Sequence, residues 1–189
     1  MKKIALCIVV ASSALQVACT NLAIDQMPLR TSRDFLLDIK AVADSEDLAD
    51  INSVGRRLRI ELVAGPETSV YESDKKTVRG NAIEVERRGM AKEYSSSDFK
   101  YGIFRPKGRD FDRVLIAISV NRNALCVTPD DLKSVFKDVQ RYVNPHVTTL
   151  DYSYSNTVGD FDEIRRTYFR FQSSGCLFGF GFFQNRERN

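Results

Sequence analysis

Thr167-Tyr168-Phe169-Arg170-Phe171-Gln172-Ser173-Ser174-Gly175-Cys176-Leu177-Phe178-Gly179-Phe180-Gly181-Phe182-Phe183 decides the fold. Two aromatic runs alternate strictly and break at Ser-Ser-Gly, the short-range signature of a β-hairpin. With Ser174-Gly175 as a two-residue turn, Phe171 faces Phe178, Phe169 faces Phe180 and Thr167 faces Phe182, all on one side with Cys176. A three-residue turn would set Phe178 against Arg170 and Phe169 against Gly179, so the hydrophobic pattern selects the first register. That side is a core wall of phenylalanines. The other side carries Tyr168, Arg170, Gln172, Leu177, Gly179, Gly181 and Phe183. There Gly179 and Gly181 lie opposite Arg170 and Tyr168, leaving a strip bordered by Phe183. The plainer expectation is that a helix packs onto the glycines. The functional alternative is an open aromatic-and-arginine groove for a partner, since such residues enrich binding hot spots.

Outward from the hairpin, Val147 to Tyr154 reads as a strand with Leu150, Tyr152 and Tyr154 on one face. Before it, Thr128-Pro129-Asp130-Asp131 is a helix start: a hydroxyl cap, proline in the first turn and two carboxylates at the positive end of the dipole. Leu132, Val135, Phe136, Val139 and Tyr142 supply its apolar stripe, and Asn144-Pro145 stops it. Arg113 to Val120 is a near-continuous apolar run, hence a central strand. Thr68 to Glu72, Ala82 to Glu86 and Phe99 to Phe104 are further strands, with Lys92 to Asp98 a mobile loop. Arg57 to Val63 alternates charged and aliphatic residues, so one face is wet and the sheet is antiparallel. Two helices precede it. Thr31 or Ser32 caps the first, with Phe35, Leu36, Ile39, Val42 and Ala43 inward; Ser45-Glu46-Asp47 opens the second, which ends at Gly55. The expected class is α+β: two N-terminal helices, a mainly antiparallel sheet, one later helix packed on it and the C-terminal hairpin.

The N-terminus carries an address. Met1-Lys2-Lys3 is basic, and Ile4 to Ala11 is an apolar run too short to span a bilayer. Small residues follow, then Gln16-Val17-Ala18-Cys19, which resembles the lipobox of bacterial lipoproteins, Gln16 standing where that family prefers Leu. The resemblance implies cleavage before Cys19, lipidation of its thiol and amine (palmitate among the acyl chains), and, with Thr20 next, the periplasmic face of the outer membrane. The alternative is ordinary cleavage after Ala14 or Ala18, giving a soluble periplasmic protein. Residues 1–18 are then signal peptide, 19–30 anchor and tether, and 31–189 one domain. Removing 18 of 189 residues leaves 171, enough for a sizeable core, and loss of Lys2 and Lys3 lowers the formal charge from +3 to +1. The arginine pairs at 56–57, 87–88 and 165–166 are dispersed, so a nucleic-acid partner is not expected. They read first as solvated element ends and second as a site for anionic sugar or lipid.

Of four cysteines, Cys7 leaves with the signal peptide and Cys19 is the anchor. Cys126 and Cys176 remain, and in an oxidising compartment a disulfide is the default over a redox or metal pair. The chain has one histidine, His146, beside a helix end, and no Gly-x-Ser-x-Gly, His-Glu-x-x-His or phosphate-cradling glycine loop. Glu84 and Glu86 share a strand face and read as its wet side rather than as paired acids. No cofactor or metal is implied. From Thr128 to Gln184 the layout of helix, strand, loop and hairpin resembles the small outer-membrane lipoproteins of the SmpA/OmlA (BamE) type. Val127-Thr128-Pro129 stands where that family has Gly-Met-Thr, and Tyr142-Val143-Asn144-Pro145 stands at its Leu-Gly-x-Pro helix end. The resemblance implies the fold and an envelope location. The empty catalytic inventory adds the expectation of a membrane-anchored protein that is not an enzyme and acts by binding another envelope protein, as an assembly factor or an immunity-type inhibitor. A periplasmic enzyme or small-ligand binder is the alternative.

Overall fold

The computed structural model describes residues 23–45, 47–142, 149–156, 164–172 and 175–185. Its helices are α1 (Ser32–Ala43), α2 (Ile51–Leu58) and α3 (Pro129–Val135). The strands are β1 (Ile60–Ala64), β2 (Thr68–Tyr71), β3 (Val78–Met90), β4 (Tyr94–Pro106), β5 (Arg113–Val120), β6 (Gln140–Tyr142), β7 (Leu150–Asn156), β8 (Ile164–Phe171) and β9 (Leu177–Asn185). Together they form one nine-stranded sheet in the order β1-β3-β4-β5-β9-β8-β7-β6, with β2 also on β3. Every described pairing is antiparallel. The chain is α+β, and β5 is central, as its unbroken apolar run requires.

Alternation assigns the two faces. On the first, Val114, Ile116, Ile118 and Val120 of β5 are buried beside Phe180 and Phe182 of β9 and Phe169 and Phe171 of β8. The helices pack there. Phe35 of α1 meets Phe180 edge-on at 5.9 Å, and Phe136, just past α3, meets Phe169 at 4.9 Å. Thr31 caps α1 by accepting from the Asp34 N–H, and Thr128 and Asp131 cap α3 reciprocally.

Several boundaries differ from expectation. α2 starts after the Asp50 cap and runs through Gly55 to Leu58, so Arg57 and Leu58 are helical rather than in a strand; Arg59, in the left-handed region at φ 56°, ends it. Gly55 is buried against β1: a Cβ there would come within 2.7 Å of the Ile60 carbonyl, so the glycine allows contact instead of stopping the helix. Lys92 to Asp98 is not a loop. The turn is Ala91–Glu93, and Ser95–Asp98 bulge within β4 while Arg87 donates to the Ser95 and Ser96 carbonyls. α3 is only seven residues, because Phe136 leaves helical geometry to enter the core and Gln140–Tyr142 pair with β7. Between Thr128 and Gln184 there is thus one strand more than the expected layout. Residues 24–30, read as tether, lie on the domain: a 3-10 turn at Ile24–Gln26 packs against the core, and Arg30 is 5 % exposed.

The hairpin pairs Thr167 with Phe182 and Phe169 with Phe180 as read, and Gly175 takes φ +86°. Its turn end does not follow. A bulge sets Arg170 against Gly179 but Phe171 against Leu177, so Leu177 is fully buried and Phe178 is left between them, half-exposed. The Phe171–Phe178 pair is replaced by Phe171–Leu177, a swap that inserting one residue into one strand produces.

Candidate functional site

Cys126 and Cys176 are disulfide-bonded, with Cα atoms 5.1 Å apart. The bond joins the two middle strands of the sheet, but at their ends, between the segment leaving β5 and the turn before β9, rather than halfway along them. The Leu177 N–H donates to the Val127 carbonyl beside it. Cys19 and His146 lie outside the described residues.

The second face of the sheet is the candidate site, and it is open. No described helix packs on it, which overturns the expectation of a helix over Gly179 and Gly181. Gly181 serves a different contact. The Tyr168 ring lies across it and the Tyr168 hydroxyl donates to the Ile116 carbonyl at 3.3 Å, two strands away. A Cβ on Gly181 would collide with both that hydroxyl and that carbonyl. Burial pushes the Tyr168 hydroxyl pKa above its ordinary value, partly offset by Arg170. Arg170 forks onto Asp151 at 3.2 and 3.4 Å, an ion pair half-exposed on the arginine side.

Three hollows follow one another across this face. One of about 420 Å³ is polar and lies over β6–β8, with Tyr142, Asp151, Ser153, Arg166 and Arg170 in its walls. A second, about 160 Å³, holds Phe178, Gly179 and Ser119 beside Tyr168 and Arg170. The third, about 240 Å³, is apolar and lies over Gly102 between Phe104, Leu115 and Phe183. The surface residues Tyr168, Arg170, Gly179, Gly181 and Phe183 therefore share one face, with Tyr168 as the ridge between the first two hollows. Glu84 and Glu86 are both exposed, and Glu86 pairs with Arg88 at 3.0 Å. Tyr152 and Tyr154 belong to the other face. Tyr152 is 7 % exposed against Phe171, while Tyr154 packs on Phe136 and its hydroxyl donates to Asp44.

One buried polar cluster carries no local signal in the sequence. Arg30 is enclosed between the rings of Phe35 and Tyr94. Its Nε donates to Glu93 Oε1 at 2.9 Å, its Nη1 to Asp38 at 2.9 Å, and its Nη2 to the Leu58 carbonyl and the Tyr94 hydroxyl. Glu93 is fully buried and also accepts from the Arg30 backbone N–H. Burial alone would raise the Glu93 pKa, but these hydrogen bonds and the guanidinium hold it below the ordinary carboxylate value. Burial also works against the Arg30 charge, and Tyr94, Asp38 and Glu93 outweigh it. Tyr94 itself is pushed up to about 12 by burial. The cluster fixes the chain N-terminal to α1 onto the β3–β4 turn; being closed to solvent, it is structural.

Among the described residues no group of three or more His, Cys, Asp or Glu is placed to hold a metal, and no helix is long and apolar enough to cross a membrane. The site and fold define a one-sided α+β sheet protein: helices on one face, a broad arginine- and aromatic-bearing surface on the other. Comparison with known proteins finds no matching family model, and no curated protein or solved structure significantly similar to the chain.

Proposed function

We propose that the protein is a non-catalytic envelope lipoprotein, anchored through Cys19 at the periplasmic face of the outer membrane, that works by binding another protein on the open face of its sheet. The observation that carries this is the face itself: Tyr168, Arg170, Phe178 and Phe183 stand on the side of the sheet opposite the helices. Tyrosine and arginine on a rigid sheet are suited to hot-spot contacts because little side-chain freedom is lost when they are covered. The Cys126–Cys176 bond supports an oxidising compartment, and the Gln16–Cys19 stretch supports export and anchoring.

The polar hollow over β6–β8 favours a second reading, a small anionic ligand held by Arg166 and Arg170, because its volume of about 420 Å³ falls within the range of ligand pockets. One experiment separates them. The full chain carrying Arg170→Glu, Phe183→Glu or, on the helix side, Leu37→Glu is recovered from native envelope with its associated proteins. Loss of one defined partner with the first two and not the third supports protein binding. No loss in any variant, with inorganic phosphate raising the melting temperature of the wild type and not of Arg170→Glu, favours the small-ligand reading, and equal recovery without that shift refutes the open-face site. Cys19→Ala should release the folded protein from the membrane fraction; a wild type that is already soluble refutes the anchor.

A further inference from the structure

One row across the open face is complementary to itself. Register places Glu84 opposite Gly102, Gly102 opposite Leu115, Leu115 opposite Phe183, and Phe183 opposite Arg166. All five side positions point away from the helices, since their strand neighbours Val85, Ile103, Val114, Ile116, Phe182 and Thr167 are buried on the other face. The row therefore reads acid, hollow, leucine, phenylalanine, base. The hollow is empty: nothing lies within 4 Å of where a Gly102 Cβ would be, so no internal contact requires a glycine there. Glu84 and Arg166 are both exposed at its ends.

We propose that a second copy of this chain occupies this row, face to face, about a two-fold axis running along β5 over Leu115. It rests on the reading of the open face as the working surface and commits part of that face to an occupant. The axis inverts the row end for end. Leu115 meets its own equivalent, Phe183 of each copy enters the Gly102 hollow of the other, and Glu84 of each lies over Arg166 of the other. Five strands at ~4.8 Å spacing make the row ~19 Å long, and stacked sheets lie ~10 Å apart, a gap that facing glutamate and arginine side chains bridge. The β5-length face of these strands projects to on the order of 600 Å², near the ~800 Å² per partner of stable interfaces. An isologous contact of this kind closes on itself, so it gives a dimer and not a fibre. Tyr168 and Arg170 stand on β8 beside Arg166, opposite Gly181 and Gly179 toward the Ser119 end of β5, with Arg170 outermost.

The test uses the full chain expressed in a bacterial envelope and read on non-reducing gels. Leu115→Cys places two thiols at the axis. Because sheets ~10 Å apart hold their Cα atoms beyond the ~7 Å a disulfide can span, a bis-maleimide is added. It should give a covalent dimer with Leu115→Cys but not with Leu37→Cys, exposed on α1 on the other side of the sheet. In the Leu115→Cys background, Glu84→Arg or Arg166→Glu alone should reduce the dimer at least tenfold, and the two together should restore it. Failure of Leu115→Cys to cross-link in a folded protein, or failure of the double reversal to restore the dimer, overturns the proposal. Should that failure occur while Arg170→Glu still releases an envelope partner, the dimer falls and the functional reading stands.

Discussion

Arg30→Ala should be among the most damaging single substitutions in the chain. It removes the partner of Glu93, which is fully buried and keeps an Oε2 with no hydrogen-bond partner even when Arg30 is present. Stripping one member from a buried pair leaves an uncompensated charge and costs about 3–5 kcal/mol, or roughly 6–20 °C of melting temperature for a domain of this size. The pH dependence distinguishes this from loss of packing. In the wild type the Glu93 pKa is depressed, so its contribution is present above the unfolded value of about 4.3 and is lost as pH falls through the folded value. In Arg30→Ala burial is opposed only by the backbone N–H donors of residues 30 and 93, so the Glu93 pKa rises and the stability its charged form contributes at neutral pH shrinks. Urea unfolding should therefore show a gap between wild type and variant that is wide at pH 7 and narrows toward pH 4. Arg30→Met with Glu93→Gln, which removes both charges and keeps an acceptor for the backbone N–H of residue 30, should recover much of the loss. A cost below about 1 kcal/mol, or a gap that does not change with pH, refutes the assignment.

Reduction of Cys126–Cys176, or Cys126→Ser with Cys176→Ser, should cost on the order of 4 kcal/mol for a separation of 50 residues, read as a fall in the unfolding midpoint. Phe169→Ala, at 0 % exposure, should cost about 3–5 kcal/mol, while Arg170→Ala, on the other side of the same strand, should cost at most about 1 kcal/mol. Tyr168→Phe should cost about 1 kcal/mol by removing the hydrogen bond to Ile116, leaving the ring over Gly181 in place. Thr128→Ala should lose about 1 kcal/mol through the capping box of α3, measurable in the same unfolding assay.

What the sequence made legible follows its local signals. β5 and the inner hairpin register are carried by unbroken or alternating apolar residues, and the α1 and α3 starts by side chains that bond within three residues. The misses are places where a distant contact overrules a neighbour. Ser95–Asp98 is polar enough to read as a loop, yet Arg87 from the facing strand holds it in β4. Phe136 continues a helical stripe but turns into the core against Phe169. Leu177 displaces Phe178 because the wall it joins tolerates one residue there, and two-fold alternation cannot announce an inserted residue. For the site, the strip opposite Arg170 and Tyr168 was readable, but the lid on Gly181 proved to be Tyr168 itself. Arg30 and Glu93 are 63 residues apart and lie in unremarkable stretches, so nothing local pairs them.

The strand order implies something about how the sheet is assembled. β3, β4 and β5 are sequential neighbours, as are β6 through β9, so each half zips from short-range hairpins. Among the described strands, β5–β9 alone joins the halves, pairing Arg113 with Asn185, a separation of 72 residues (185 − 113). The slow step in folding is expected to be the closing of this seam, since long loops must be ordered before it forms. The disulfide sits at one end of the same seam. Once oxidised, it works as the bottom stop of a zipper: the two halves meet already aligned, and the reduced chain must find that alignment by diffusion.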